Sequence, residues 1–301
     1  MDLLLSVVLG PLTPRGAPSL AAPDAPTDAT TFDRAALAGF AADRLGFAFV
    51  GGYGAALARL VPSIAPRACL AATERGGAHP RAILATLSEP DAATGARRLD
   101  GEKTWITLGT LATELLVVAR LGEAREAKGS LRVARLPAAR EGITLCAGMT
   151  TPFAPEVPHA EARFEGVVVA PGELLDGDGY DDYLKPFRTI EDIHVLGAAL
   201  GYLVRVAREH AWPRSFTERA LAALLALRGL GALDPRAPET HVALGGGLSL
   251  ARALVDEATP HWALASPEER DRFARDRPLL DVAGRVRAAR LDAAWARLAT
   301  G

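Results

Sequence analysis

Trp105, Ile106 and Thr107 stand together in the run Leu99-Asp-Gly-Glu-Lys-Thr-Trp-Ile-Thr-Leu-Gly109. An indole offers a flat apolar face, and a neighbouring hydroxyl offers both a donor and an acceptor. On residue type alone this is a core Trp beside a solvated Thr. A second pair, Glu191-Asp192, opens an apolar-periodic stretch, where acidic side chains suit the positive end of a helix dipole. The remaining chemistry is thin. His194 falls on an apolar helix face and reads as a satisfied core residue. His79, His159, His210, His241 and His261 are too dispersed to suggest a metal centre. The acidic run Asp176 to Asp182 lacks the Glu and the spacing of a calcium loop and reads as a solvated turn. The sequence contains no GxGxxG, P-loop, HExxH or Gly-x-Ser-x-Gly pattern.

Three ordered stretches resemble the acyl-CoA dehydrogenase family. The first is Leu-x-Gly-x-Lys-x-Trp-Ile-Thr-x-Gly at 99–109, similar to the family's middle-domain signature. The second is Ala72-Thr73-Glu74-Arg75-Gly76-Gly77, which resembles a Thr-Glu-Pro-Gly motif. The third is Ala162-Arg163-Phe164-Glu165-Gly166-Val167-Val168-Val169 with Gly172-Glu173-Leu174-Leu175, similar to the family's closing strand and exit loop. The resemblance implies a diverged, shortened member. It implies α,β-dehydrogenation of an acyl thioester, hence fatty acid metabolism, with FAD lying against Thr73, Trp105, Ile106 and Thr107. It also implies acyl-CoA or another acyl thioester as substrate, an electron-transfer flavoprotein as a possible partner, and a possible homo-oligomer.

The family's reaction needs a buried carboxylate whose pKa approaches the working pH. Its usual base lies in a Tyr-Glu-Gly segment after an Arg-Asp pair. Here Arg275-Asp276 is followed by Pro278-Leu-Leu-Asp-Val-Ala283-Gly284, so Ala283 falls where the Glu is expected. Other members carry the base ten residues before the Gly of a Leu-Gly pair, and Glu191 stands ten before Gly201. The resemblance thus assigns Glu191 as catalytic base, beside the plain reading of a helix N-terminus. The cofactor's far side is poorly matched. Ala78-His79-Pro80 replaces Gly-Ser-Asp, and Arg214-Ser215-Phe216-Thr217 replaces Arg-x-x-Phe-Gly. No Gln exists for the Gln-x-x-Gly-Gly segment, and Gly245-Gly246-Gly247 sits inside a helical pattern that suggests close packing instead.

The elements that must position these residues follow from pattern. Residues 10–30 are Pro-rich and predict an extended arm. Thr31 is placed to cap a helix through Phe32, Leu37, Phe40 and Leu45, broken near Gly46. A second apolar stretch, 47–60, ends at Pro62. This lead-in is shorter than the family's and would remove part of one wall of an acyl-chain pocket. From 67 to 169 the pattern changes to short runs separated by Gly, Pro and Asp, which predicts a β-barrel or sandwich. Asp100-Gly101 predicts a hairpin turn, because both positions tolerate positive φ. From Tyr183 the period is helical, with starts at Ser215-x-x-Glu218 and Ser266-Pro-Glu-Glu269 and a last helix after Pro278. The fold class expected is α+β, acyl-CoA dehydrogenase-like: a short helical N-terminal part (1–65), a middle β domain (66–175) and a C-terminal antiparallel helical bundle (176–301).

Composition narrows the partners. With 301 residues and a net charge of −2, the chain has length for a large core and no basic surplus for nucleic acid. Asn and Gln are absent and 31 of the 34 basic residues are Arg. Abundance of Ala or Arg therefore carries little information, whereas any role needing a carboxamide is empty. Two cysteines without metal spacing fit a reducing compartment, and the apolar start Met1–Leu9 lacks a basic flank. These features predict a cytoplasmic protein with no membrane or nucleic-acid partner. Two functions stay open. One is a flavoenzyme with a pocket where Glu191 approaches Trp105; the other is a catalytically inactive relative serving as a binding or assembly module.

Overall fold

Ile190, Ile193, Leu196, Leu200, Leu203 and Val204 recur every three or four residues and draw one continuous helix, α4 (Lys185–Glu209). The computed structural model describes residues 2–16, 29–77, 79–122 and 130–300. It divides into two compact units: Met1–Arg59 with Pro152–Ala154 and Phe187–Gly301, and Leu60–Thr151 with Pro155–Pro186. Most of the extended arm expected over 10–30 lies outside the described residues.

The first unit is helical. It holds α1 (Leu3–Leu9), α2 (Thr31–Ala41), α3 (Leu45–Leu60), α4, α5 (Arg214–Gly231), α6 (Pro238–Ala258), α7 (Pro267–Asp276) and α8 (Gly284–Thr300). One core joins the early and late helices, with Phe32 and Phe40 of α2 against Leu200, Leu203, Phe216 and Leu224. Caps fall close to expectation. Ser266 and Glu269 form the capping box that starts α7. For α2 the cap is Thr30 rather than Thr31, its hydroxyl accepting from the Asp33 N–H at 3.1 Å. Ser215 lies inside the first turn of α5, which starts after Pro213 without a side-chain cap.

Gly46 does not break the chain as expected, and α3 runs through it and three further glycines. Helices come unusually close here. A Cβ on Gly52 would stand 2.8 Å from the Val195 Cα. One on Gly39 would stand 1.8 Å from the Ala198 carbonyl oxygen, and one on Gly201 2.1 Å from that of Ala36. Gly39→Ala is therefore expected to cost about 3 kcal/mol through backbone displacement. Gly229→Ala, whose Cβ would meet nothing within 4 Å, should be neutral or slightly stabilising. Urea unfolding of both variants checks this, and equal losses would mean that close packing at Gly39 is not what matters.

The second unit is a mixed seven-stranded sheet. Its strands are β1 (Ala68–Ala71), β2 (Thr86–Leu87), β3 (Arg97–Thr107), β4 (Glu114–Leu121), β5 (Leu131–Pro137), β6 (Ile143–Ala147) and β7 (His159–Val169). The order is β1-β4-β2-β3-β7-β6, with β5 on β4. Among the described residues no ladder joins β5 to β6, so the pairings are those of an open sheet rather than a closed barrel. β1 and β2 lie end to end along one side of β4. β1 pairs as far as Val117, and β2 resumes at Arg120.

The hairpin expected at Asp100-Gly101 is instead a bulge within β3. The register to β7 shifts between Leu99 and Gly101, and the Asp100 carboxylate accepts from the Gly166 N–H at 2.7 Å. Gly101 has φ +140°, and a Cβ there would lie 2.6 Å from the Ala85 Cα. Close approach of a neighbouring backbone, not a turn, demands the glycine.

Candidate functional site

The gap between β1 and β2 leaves Val118 and Ala119 of β4 without a strand partner on that side, β5 pairing them on the other, and the two motif segments fill it. Lys103 is fully buried. Its ammonium donates to the Val118 carbonyl of β4 at 2.6 Å, to Ala72 O at 3.4 Å and to Glu74 Oε1 at 2.7 Å. The Glu74 carboxylate also accepts from the Leu84 N–H at 2.7 Å and the Ala85 N–H at 3.1 Å. The ammonium and both carboxylate oxygens thus have partners, which a buried ion pair requires. Burial lowers the Lys103 pKa, and the Glu74 charge opposes that shift. Arg120, also buried, donates to the carbonyls of Ile83 and Pro80 at 3.0 and 3.1 Å and holds the turn before β2.

This patch aims Trp105. The register of β3 to β7 slips again between Lys103 and Ile106. In the slip, Thr104 N–H donates to Thr73 O at 2.9 Å, and Thr73 bridges Trp105. Trp105 is half-buried and its ring lies 4.2 Å from the His159 imidazole, centroid to centroid, at 39°. Burial lowers the His159 pKa, and a hydrogen bond to the Val157 backbone partly opposes that shift. Ile106 is fully buried in the sheet core, so only its backbone can meet a ligand. Thr107 is half-buried opposite His159 in the ladder. Leu108 ends the strand at φ +61°. That conformation costs a branched side chain about 1–2 kcal/mol. Asn would tolerate it, and this chain has none. Thr73, Thr104 and Trp105 border an open cleft of about 820 Å3 whose other lining includes Arg75, Cys146 and Arg163.

In the helical unit, Glu191 and Asp192 lie in α4 and have opposite fates. Asp192 is buried and receives Arg287 at 2.8 Å and also Arg290, both from α8. Glu191 is half-buried. Burial, reinforced by the Asp192 charge and partly offset by Arg287, Arg188 and Arg290, pushes its pKa up to about 7. His194, a turn later, is the core residue its position suggests. Its Nδ1 lies 2.7 Å from Ile190 O and its Nε2 3.0 Å from the Thr31 hydroxyl, and burial lowers its pKa to about 4. Arg275-Asp276 is a structural pair. The fully buried Asp276 takes Arg275 at 2.6 Å and the N–H of Ala154 at 2.7 Å. Ala154 has φ +43°, and this bond anchors it. Ala283 precedes α8 and carries no acid-base group. The acidic run before α4 caps backbone: Asp178 Oδ1 accepts from Tyr180 and Asp181 N–H, both at 2.9 Å.

Whether these residues fit a flavin divides by end. For a ring, the half-exposed Trp105 beside an open cleft is suitable. For the pyrophosphate and adenine side the matched positions are committed elsewhere. His79 Nδ1 accepts from the Arg81 N–H at 3.2 Å, and Pro80 has no N–H. Phe216 is fully buried, 5.1 Å from the Trp212 ring. Gly245–Gly247 are helical in α6, where a Cβ on Gly245 would meet Leu291 at 3.0 Å and one on Gly247 would meet Leu227 at 3.1 Å. Ala78 lies outside the described residues. Sequence reasoning missed the Glu74–Lys103 pair, the His159 contact and the Arg287–Asp192–Arg290 cluster. The first was visible only as two separate motifs, and the others had no local signal.

No protein-family model matches the sequence, and no curated protein matches it. Solved structures do. Butyryl-CoA dehydrogenase from Megasphaera elsdenii matches with a TM-score of 0.68 at 15% identity, over 88% of this chain and 81% of that one. The electron transferring flavoprotein structure of Acidaminococcus fermentans matches with 0.70 at 15%, over 88% and 82%. FMN-bound TdsC from Paenibacillus sp. A11-2 matches with 0.62 at 19%, over 82% and 77%. At these identities the likeness speaks for the three-dimensional arrangement alone, and on that ground the chain has the acyl-CoA dehydrogenase fold.

Proposed function

We propose that the protein is a flavin-dependent oxidoreductase acting on an acyl thioester by α,β-dehydrogenation, with Glu191 as base. The observation that carries this reading is Glu191 itself: a half-buried carboxyl on α4 with its pKa pushed up to about 7. A general base works best when its pKa lies near the operating pH. Asp192, its neighbour, is neutralised by two guanidiniums, so the two carboxyls are set apart in role. Glu191 would take the α-proton onto its carboxylate. A bound flavin supplies the acceptor for the β-hydride. Thr73, Trp105, the Ile106 backbone and Thr107 would hold the flavin ring, with FAD the form that the sequence resemblance implies. An electron-transfer flavoprotein as acceptor, a homo-oligomeric state and a cytoplasmic location belong to the same proposal. Among the described residues no helix is long and apolar enough to cross a membrane.

A second reading, an inactive scaffold that binds or assembles, is favoured by one observation. Phe216 and the Gly245–Gly247 run, which stand near where the family's far-side cofactor motifs are expected without reproducing them, are spent on packing. The visible spectrum of the purified protein, before and after adding FAD or FMN, separates the two. The enzyme reading expects a flavin band near stoichiometric occupancy. Because Phe216 and the Gly245–Gly247 run are committed to packing, FMN should bind within about tenfold of FAD, a difference of about 1.4 kcal/mol or less. A protein that stays colourless with both flavins is the scaffold.

A further inference from the structure

The helical unit contains a cavity of about 230 Å3 between α4, α6, α8 and the short 3-10 turn Arg277–Asp281. We propose that it is a binding site for a small anionic amphiphile, a short apolar chain ending in a carboxylate. The cavity is separate from the Trp105 cleft, whose lining belongs wholly to the sheet unit.

Small residues leave the space. Ala199, Ala251 and Ala288 reach it with a methyl each, and a Cβ added to Gly284 would meet nothing within 4 Å. The floor is apolar, built from Leu196 and Leu200 of α4, Leu244 and Val255 of α6 and Leu291 of α8. Apolar cavities of this kind hold apolar ligands in preference to water. At the roughly 30 Å3 that a water occupies in the liquid, the space takes about eight water-sized groups, the scale of a medium-length chain.

The rim is basic. Arg252, Arg277, Arg287 and Arg290 line it, against Asp281 as the one lining acid. Their partners are Asp281 for Arg252, Asp256 for Arg277 and Asp192 for both Arg287 and Arg290. Glu191 also faces Arg287 and Arg290, so those two less exposed guanidiniums are balanced by Asp192 and Glu191, and what the rim offers an anion is Arg252 and Arg277. The Arg252 and Arg277 side chains are 66% and 42% exposed. Exposed Arg–Asp pairs are weakly held, so an incoming carboxylate can take either guanidinium in the forked geometry that arginine offers. A cation finds only Asp281, which Arg252 already holds, against several guanidiniums that repel it, and a neutral chain gains only the floor. Arg287 and Arg290 also hold Asp192 beside Glu191, so the rim and the proposed base share two guanidiniums.

Isothermal titration of the whole chain with octanoate, and with octylamine as the cationic control, tests the proposal. Octanoate should bind at one site and octylamine should not. Ala288→Phe, which fills the cavity from an exposed position, should abolish octanoate binding. Arg252→Glu with Arg277→Glu should weaken it by about tenfold or more. Trp105→Ala should leave it unchanged, which separates this site from the flavin cleft whatever the fate of the enzyme reading. Circular dichroism confirms that each variant is folded. No binding below the micelle threshold overturns the proposal. So does equal binding of the amine, or octanoate binding that survives both the filled cavity and the reversed rim.

Discussion

Lys103→Met should destabilise the protein by about 3–5 kcal/mol, because it strands the Glu74 carboxylate in the sheet without its counter-charge. Val118 O also loses its donor at 2.6 Å. Glu74→Leu should cost a comparable amount for the mirror reason, leaving the ammonium unpaired and the N–H groups of Leu84 and Ala85 without their acceptor. The two effects should not add. In the double variant neither charge of the pair remains, and what is lost is a set of backbone hydrogen bonds at about 1–3 kcal/mol per orphaned group. A double-mutant cycle by urea unfolding should therefore show a coupling of several kcal/mol. Additive losses would mean that the pair is not a unit. The consequence reaches function. Glu74 and Lys103 belong to the stretches that carry the family resemblance, and a sheet gap that must be patched explains their presence whether or not the protein turns over a substrate. The motifs are thus strong testimony to the fold and weak testimony to the activity.

What could be read in the sequence was whatever a short segment decides by itself. The Ser266–Glu269 box, the apolar stripe of α4 and the alternation of β7 each depend on neighbours within a turn or a strand. Asp100-Gly101 shows the limit. Its type permits a hairpin turn, yet the outcome is a bulge, because β3 continues past it on β7 and Ala85 approaches too closely for a side chain. Those partners are distant in sequence and leave no local mark. Gly51 and Gly52 of α3 show the same limit: their role, letting α2 and α4 approach, depends on Ala38 and Val195 and leaves no mark in the local sequence. At the candidate site, residue types were legible and environments were not. Glu191 and Asp192 are adjacent acids on one helix. Only α8, about a hundred residues later, makes one a neutralised anchor and leaves the other with its pKa raised.

Glu191→Gln should stabilise the folded chain at neutral and alkaline pH and leave it unchanged in acid. The folded pKa of about 7 lies above the ordinary 4.5. Between those values the native state binds more protons than the unfolded chain, so stability falls as pH rises through the window. Below 4.5 both states are protonated and Gln is a fair replacement. Above 7 the native state holds a charge that its surroundings disfavour. The full shift corresponds to roughly 3 kcal/mol, and partial exposure of Glu191 reduces this to about 1–3 kcal/mol in the variant's favour at pH 8. Urea midpoints at acid and alkaline pH measure the difference, and parallel curves for the two proteins would show that the carboxyl is not raised. A second readout follows if flavin binds: bleaching by acyl-CoA should have a limb near pH 7 in the parent and be lost in Glu191→Gln with flavin still bound. Unchanged bleaching would remove Glu191 as the base. The pairing of the two readouts carries the inference. A residue that lowers stability at working pH and is also needed for turnover is held for its chemistry, whereas a stability gain in a protein with no flavin would leave Glu191 an unexplained strain in a scaffold.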